Sequence, residues 1–329
     1  MGFLLSLFFG FIPVLIFAWI IYWLDRYEKE PKLLLGAVFL WGAVVAAGLA
    51  YLVNTFLAVG IYLFTDSAAA TDLTTGTLIA PVVEEILKGL AVLVVFLAAR
   101  HEFDSILDGI VYAGIVALGF AATENTLYIY RDGYLQNGFT GLFSLAFIRV
   151  VLVGWQHPFY TAFIGIGLAV TRLTRNLAAR LAALFIGLTL AITLHSFHNL
   201  LANLVRGLGG FIMGTVIDWS GWIFMLLFIL WAIYREQQWM VAHLREEVSF
   251  GSITSTQYRT ACSAWLQSLA RFGALFNSRY RATSRFYQLC AELAYKKQQF
   301  STLGDEGGNT KIIEKLRGEL SHLSNQVLS

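Results

Sequence analysis

The 329-residue chain is short of charge and of cysteine. Asp, Glu, Lys and Arg make up 13% of it and apolar residues 57%, whereas an ordinary soluble domain carries roughly 25% charge. This excludes a solvated globular domain as a description of the whole. Its two cysteines, Cys262 and Cys290, both lie in the C-terminal third, which excludes a disulfide framework and a cysteine-rich metal site. A net charge of +2 gives no electrostatic footprint for nucleic acid, and no such partner is expected. Residues 54–77 lack Lys and Arg altogether, as a loop on the trans side of a membrane should.

What is present is apolar length. Seven segments reach the roughly 20 residues that a spanning helix needs: 3–24, 33–53, 78–99, 107–130, 147–171, 181–205 and 212–234. The expected fold is all-α, a polytopic membrane bundle of about seven transmembrane helices over residues 1–234. A cytoplasmic, partly amphipathic helical tail follows over 235–329. The first segment has no basic flank and runs straight into Asp25 and Arg26, so it reads as a span and not as a cleaved signal peptide. Basic residues favour alternate loops. Arg26, Lys29 and Lys32, then Arg100, then Arg172, Arg175 and Arg180, then the tail form the rich set; Arg131, Arg149 and Arg206 form the poor one. The rich set is expected to be cytoplasmic, with the N-terminus outside and the C-terminus inside.

Polar residues interrupt the apolar segments at four places: Glu84-Glu85 with Lys88, Glu124-Asn125, His157, and His195 with His198 and Asn199. Charge in hydrocarbon is costly, so such groups face a bundle interior and pair there. With that topology all four clusters fall roughly 10–15 Å below the outer surface, at 1.5 Å per residue. Glu84 and Lys88 are i,i+4 neighbours, as are His195 and Asn199. Pro158 is expected to loosen the helix at His157 by removing the hydrogen bond to Gly154, and Pro81 to start a helix just before Glu84.

Glu124, His157 and His195 make a carboxylate and two imidazoles, a ligand set suited to one divalent ion, with zinc expected, and an open fourth position. Glu84 or Glu85 would then activate water. Asn199 or His198 would donate to an oxyanion, with Lys88 and Asn125 in support. The same residue types serve an ion- or proton-coupled transporter, or polar contacts in a non-catalytic membrane scaffold.

Glu84-Glu85-x-x-Lys88, Phe120-x-x-x-Glu124-Asn125, His157 with Gly165 eight residues on, and His195-x-x-x-Asn199 resemble, in order, the four motifs of the PrsW family of intramembrane metalloproteases, distantly related to the CAAX prenyl endopeptidases. The resemblance covers most of residues 1–234 and none of the tail. It implies site-specific cleavage of a transmembrane or membrane-associated protein, in a setting such as stress signalling, by an enzyme whose other partner is the lipid bilayer. In the CAAX branch the second motif ends in His where this chain has Glu124, and His198 lies inside the fourth motif, so either His195 or His198 is open as ligand.

Other features have plainer readings. His101-Glu102 begins like a zincin motif, but Ser105 stands where the second histidine belongs, leaving a loop. Residues 240–300 alternate apolar and basic positions at spacings of three, four and seven, which predicts one or two amphipathic helices. These lie on the inner leaflet, bind a cytoplasmic partner, or pack on themselves. A flexible break is expected near 304–309, then one short helix over 310–322.

Overall fold

The computed structural model describes residues 1–204 and 207–327. Arg206, used in the charge count above, lies outside the described residues. The chain is helical throughout. In the membrane part the long helices are α1 (Gly2–Leu24), α2 (Lys32–Thr65), α3 (Ala80–Ala98), α4 (Ile106–Tyr128), α5 (Leu135–Ala146), α6 (Gln156–Leu173), α7 (Leu177–Leu204) and α8 (Gly207–Ser249).

Among the described residues, five helical stretches have the length and apolarity to cross a membrane: Gly2–Leu24, Lys32–Thr65, Ile106–Leu173, Leu177–Leu204 and Gly209–Ser249. The difference from the expected segments has two local causes. Segments 107–130 and 147–171 fall within one long stretch, where α4 runs into a wide π-helical turn at Ile129–Tyr134 and then into α5. That stretch bends at Asn137 and Gly138, the latter at φ 61. Segment 78–99 corresponds to α3, whose apolar run holds three charged side chains. The loop expected at 54–77 is also shorter than drawn. Its apolar first half extends α2 to Thr65, which ends at Asp66 in the left-handed conformation. Ser67 then caps the short helix Ala68–Thr74 by accepting from the Ala70 amide.

Helix α4 is the centre of the membrane unit. It begins on a capping box, in which Ser105 accepts from the Leu107 and Asp108 amides and Asp108 reaches back to the Ser105 amide; each satisfied amide removes an orphan donor at the helix end. From Leu107 to Ala122 every residue is buried. Glycines allow its neighbours to approach to backbone contact, as in other membrane bundles. A Cβ on Gly165 of α6 would lie 1.9 Å from the Gly109 carbonyl oxygen, and one on Gly42 of α2 would lie 2.0 Å from that of Val116. Neither helix could sit so close with any larger residue.

The chain divides into two compact units. One comprises Met1–Trp23, Glu30–Thr171 and Ala178–Phe228; the other comprises Leu24–Lys29, Arg172–Leu177 and Ile229–Ser329. The second packs on itself. Helices α9 (Ser255–Ala261), α10 (Ala264–Leu275), α11 (Tyr280–Leu303) and α12 (Asn309–Ser324) join the end of α8 around Tyr27, Met240, Leu244, Phe286, Tyr287 and Leu293. Three helices thus replace the one or two expected before the break. The break itself is Gly304, at φ 75, and a short turn over Glu306–Gly308. Buried Glu247 receives hydrogen bonds from Arg317 and Lys297. Burial alone would raise this carboxyl, but those bonds outweigh it and hold it below its usual value.

Replacing Gly165 by Leu should separate α6 from α4 and destabilise the membrane unit by about 1–3 kcal/mol or more, as overpacking does. Gly36→Ala, at a position with open space around it, should be tolerated. Thermal melting of the purified variants in one detergent compares them, and equal melting would disprove the close helix contact.

Candidate active site

Four helices deliver the polar residues to one place. Helix α3 carries Glu84, Glu85 and Lys88, α4 carries Glu124 and Asn125, α6 carries His157, and α7 carries His195, His198 and Asn199. Pro81 is the second residue of α3 and does not make a free helix start, because the chain enters from a π-helical turn at Thr75–Ile79. The wide turn tolerates a residue without an N–H. Pro158 likewise leaves α6 intact, since it falls in the first turn of a helix that starts at Gln156, where the amide has no intrahelical partner.

Glu84, Glu124, Asn125, His157, His195, His198 and Asn199 all line a cavity of about 290 Å³. Glu85 and Lys88 stand behind it, fully buried and paired to each other at 2.5 Å. Glu85 also accepts from Thr161 at 2.8 Å and lies 2.9 Å from His195 Nδ1. Lys88 Nζ is 3.3 Å from His157 Nδ1 and 4.7 Å from the centre of the Phe120 ring. Both imidazoles are therefore set by one ion pair on α3.

Glu124 Oε2 is 2.9 Å from His157 Nε2 and pairs with Arg149, whose Nε donates to Asn125 Oδ1 at 2.7 Å. Arg149 is a site residue. An isolated arginine in an apolar segment was the signal for it. Gln156, Tyr160 and Asp218 were also missed. Asp218 of α8 is 3.0 Å from His198 Nδ1, and Gln156 is 3.3 Å from the same nitrogen. Tyr160 stacks on His195, with ring centres 4.9 Å apart, and its buried hydroxyl has no partner among the described residues. Asn199 Nδ2 donates to the Gly76 carbonyl at 2.8 Å. One amide hydrogen is thereby committed to holding the turn before α3.

Glu84, His157 and His195 are grouped so that they could hold a metal ion, a set that differs from the expected one by one member. Glu84, His157 and His195 each offer a ligand atom within 4.8 Å of the others, while Glu124 is held by Arg149. Of the two histidines in the fourth motif, His195 joins the triad. Glu84 Oε2 is buried without a hydrogen-bond partner among the described residues, 3.8 Å from His195 Nε2. An orphaned carboxylate oxygen beside two imidazoles is costly unless a cation joins them. Two nitrogens and one oxygen suit zinc with a position left open. The contact from Glu85 to the other nitrogen of His195 is the outer support that metal-bound histidines commonly have.

A second cavity, of about 330 Å³, meets the first at Glu84 and Glu124 and is lined by Asn54, Thr75 and Tyr128 among others. Asn54 Oδ1 and Thr75 Oγ1 are buried there without partners among the described residues. The charged layer is thus reached from two sides.

The family model described as PrsW family intramembrane metalloprotease matches residues 30–233. The chain is 27% identical over 248 residues to a protein named Protease PrsW from Clostridioides difficile, covering 74% of this chain and 93% of that one. It is 25% identical over 207 residues to the Protease PrsW of Bacillus subtilis, covering 63% and 82%. For that of Geobacillus kaustophilus the identity is 30% over 141 residues, covering 43% and 55%. No solved structure matches. The matched segment contains the whole charged layer from Glu84 to Asp218, and the chain belongs to the PrsW family of intramembrane metalloproteases.

Proposed function

We propose that the cavity hydrolyses a peptide bond of a transmembrane or membrane-associated protein, with Glu84, His157 and His195 holding one zinc ion and Glu124 acting as the base. The observation that carries this reading is the unpaired Glu84 oxygen between two imidazoles inside a bundle. When bound, the ion would supply Lewis acidity and make water nucleophilic near neutral pH. Glu124 is within hydrogen-bond distance of His157 and pairs with Arg149. It takes the proton as the water oxygen bonds to the peptide carbon, and returns it to the amide nitrogen as the C–N bond breaks. This exchanges the roles expected for Glu84 and Glu124, because a carboxylate already paired with arginine is the poorer ligand. The Tyr160 hydroxyl, which has no other partner among the described residues, is the better donor to the developing oxyanion, since one Asn199 amide hydrogen is already committed to Gly76. Glu85 and Lys88 position both imidazoles, while Asp218 and Gln156 fix His198.

The substrate enters through the second cavity. An unwound peptide in a membrane brings unpaired N–H and C=O groups that lipid cannot satisfy. Asn54 and Thr75 offer partners beside Glu84.

The chain crosses the membrane seven times, with its N-terminus outside and the tail in the cytoplasm. The basic-residue bias supports this direction. So does the joining of loops 24–29 and 172–177, both basic, with the tail in one compact unit. The α3 segment is the span whose charges are buried by its neighbours.

Metal analysis of purified protein should find one divalent ion per chain. Glu84→Ala, His157→Ala and His195→Ala should lose it, and Glu85→Gln should weaken it by about 10- to 100-fold. Glu124→Gln should keep the ion yet lower cleavage of a reconstituted transmembrane substrate by about 10²–10⁴-fold. Full metal retention in Glu84→Ala would refute the ligand assignment.

Asn54→Leu should raise KM with kcat and metal content nearly unchanged. A fall in kcat alone would argue against a substrate path past Asn54.

Orientation is testable with single cysteines, since native Cys262 and Cys290 are both buried. Asp72→Cys should react with an impermeant thiol reagent added to intact cells, and Ser278→Cys only after permeabilisation. The reverse pattern would invert the topology.

A further inference from the structure

Helix α10 packs on the tail's core by one face only. Gln267 and Ala274 are buried, and Ala264 and Ala270 lie against the core. Its other face carries Trp265, Leu269 and Phe272, with Phe276 just past the end, at spacings of four, three and four. These four are 67%, 49%, 60% and 77% exposed. Spacings of this kind place them in one stripe along the helix. A contiguous row of large apolar side chains of this size needs a cover.

The charge around the stripe says which cover fits. Between Val248 and Ala291 there are five arginines and no Asp or Glu. Arg259, Arg279 and Arg281 are exposed, the last two immediately after the stripe. The acidic residue just before this region, Glu247, is buried and bound by Lys297 and Arg317. Arg285 pairs with Glu292 and Glu319, but an apolar stripe bordered by the exposed Arg259, Arg279 and Arg281 complements an anionic bilayer surface.

Its place in the tail unit says that such a surface is at hand. Tyr27, three residues beyond the end of apolar helix α1, is buried in the same core that Ala264 and Ala270 pack against. Arg271 of α10 is close enough to Lys29 for its charge to disfavour the ammonium there, adding to the larger effect of burial. Helix α10 therefore runs beside a loop that is tethered within a few residues of a membrane-crossing helix. A partner protein would have to arrive by diffusion, whereas the bilayer is held there by the chain itself.

We propose that α10 is an interfacial helix. The stripe Trp265, Leu269, Phe272 and Phe276 inserts into the headgroup boundary of the leaflet on the tail's side, with Arg279 and Arg281 against the phosphates of anionic lipid. This anchors the tail flat on the membrane that contains the peptidase, and it holds whether or not the proposed assignment of Glu84 and Glu124 is right.

The test uses the full chain and needs no substrate. Phe272→Cys replaces an exposed side chain and carries an environment-sensitive fluorophore; the native cysteines are buried. The protein is placed in vesicles of phosphatidylcholine, with or without about 30% phosphatidylglycerol. Quenching by spin-labelled lipid is compared with quenching by aqueous iodide. In the anionic vesicles the lipid quencher should act at least about threefold more strongly than in zwitterionic ones, with iodide correspondingly excluded. Arg279→Gln with Arg281→Gln, or high salt, should remove most of that difference. A label at Ser255→Cys, exposed and off the stripe, should stay open to iodide throughout. Equal access of iodide to position 272 in both vesicles would overturn the proposal. Protection from iodide without lipid quenching would also overturn it, because the cover would then be protein.

Discussion

The Glu85–Lys88 pair is the contact on which the site depends. Both side chains are fully buried and one helical turn apart on α3. Their separation is fixed by the helix, so no loop movement can open it. Breaking a buried pair by removing one partner costs about 3–5 kcal/mol, because the remaining charge is stranded. That penalty makes the surroundings adapt to the pair. Thr161 donates to Glu85, His195 turns Nδ1 toward it, His157 turns Nδ1 toward Lys88, and the Phe120 ring covers the ammonium. Residues from α4, α6 and α7 are thereby oriented by two side chains of α3. With their Nδ1 atoms engaged, the imidazoles cannot rotate freely, and metal affinity depends on such support.

This arrangement requires helices at close quarters, which is the task of the glycines. Gly109 and Gly165 bring α4 and α6 to backbone contact; Gly167 and Gly187 do the same for α6 and α7. In lipid there is no hydrophobic drive between apolar helices, so close packing and polar bonds carry the association. Gly165 thus serves His157 from two turns away: it fixes the distance of α6 from α4, and with it the 2.9 Å between His157 and Glu124. The motif spacing of eight residues has this mechanical content.

That the polar residues of four segments would meet was legible in the sequence, and rotation about each helix was not. The cost of burying charge predicted that Glu84, Glu124, His157 and His195 would converge, and they do line one cavity. Glu124 pairs with Arg149 as well as with His157, and Arg149 is twenty-five residues from Glu124. The sequence offered no means of pairing the two before the chain folds back through α5. Asn199 shows the same limit, because its partner is a backbone carbonyl at Gly76, which no side-chain pattern reveals. Helix ends were harder still. Four π-helical turns, at Trp41–Ala46, Thr75–Ile79, Ile129–Tyr134 and Phe147–Leu152, let helices continue where a 3.6-residue period predicts a break.

Those wide turns are placed where the charged layer needs them. Thr75–Ile79 leads into α3 and carries Thr75 and Gly76, Ile129–Tyr134 follows Glu124 by one turn, and Phe147–Leu152 contains Arg149. A π turn has an extra residue, so it rotates everything beyond it about the helix axis and leaves backbone carbonyls less tightly engaged. The Gly76 carbonyl, within one of these turns, is the one that takes the Asn199 amide. Arg149 likewise points inward to Glu124 from a segment whose regular continuation would spread its apolar residues around the helix. Regular helices would satisfy lipid better and would leave no cavity. The local departures from regularity, held in place by the buried pair and the glycine contacts, are what leave a cavity in a layer otherwise closed by hydrocarbon.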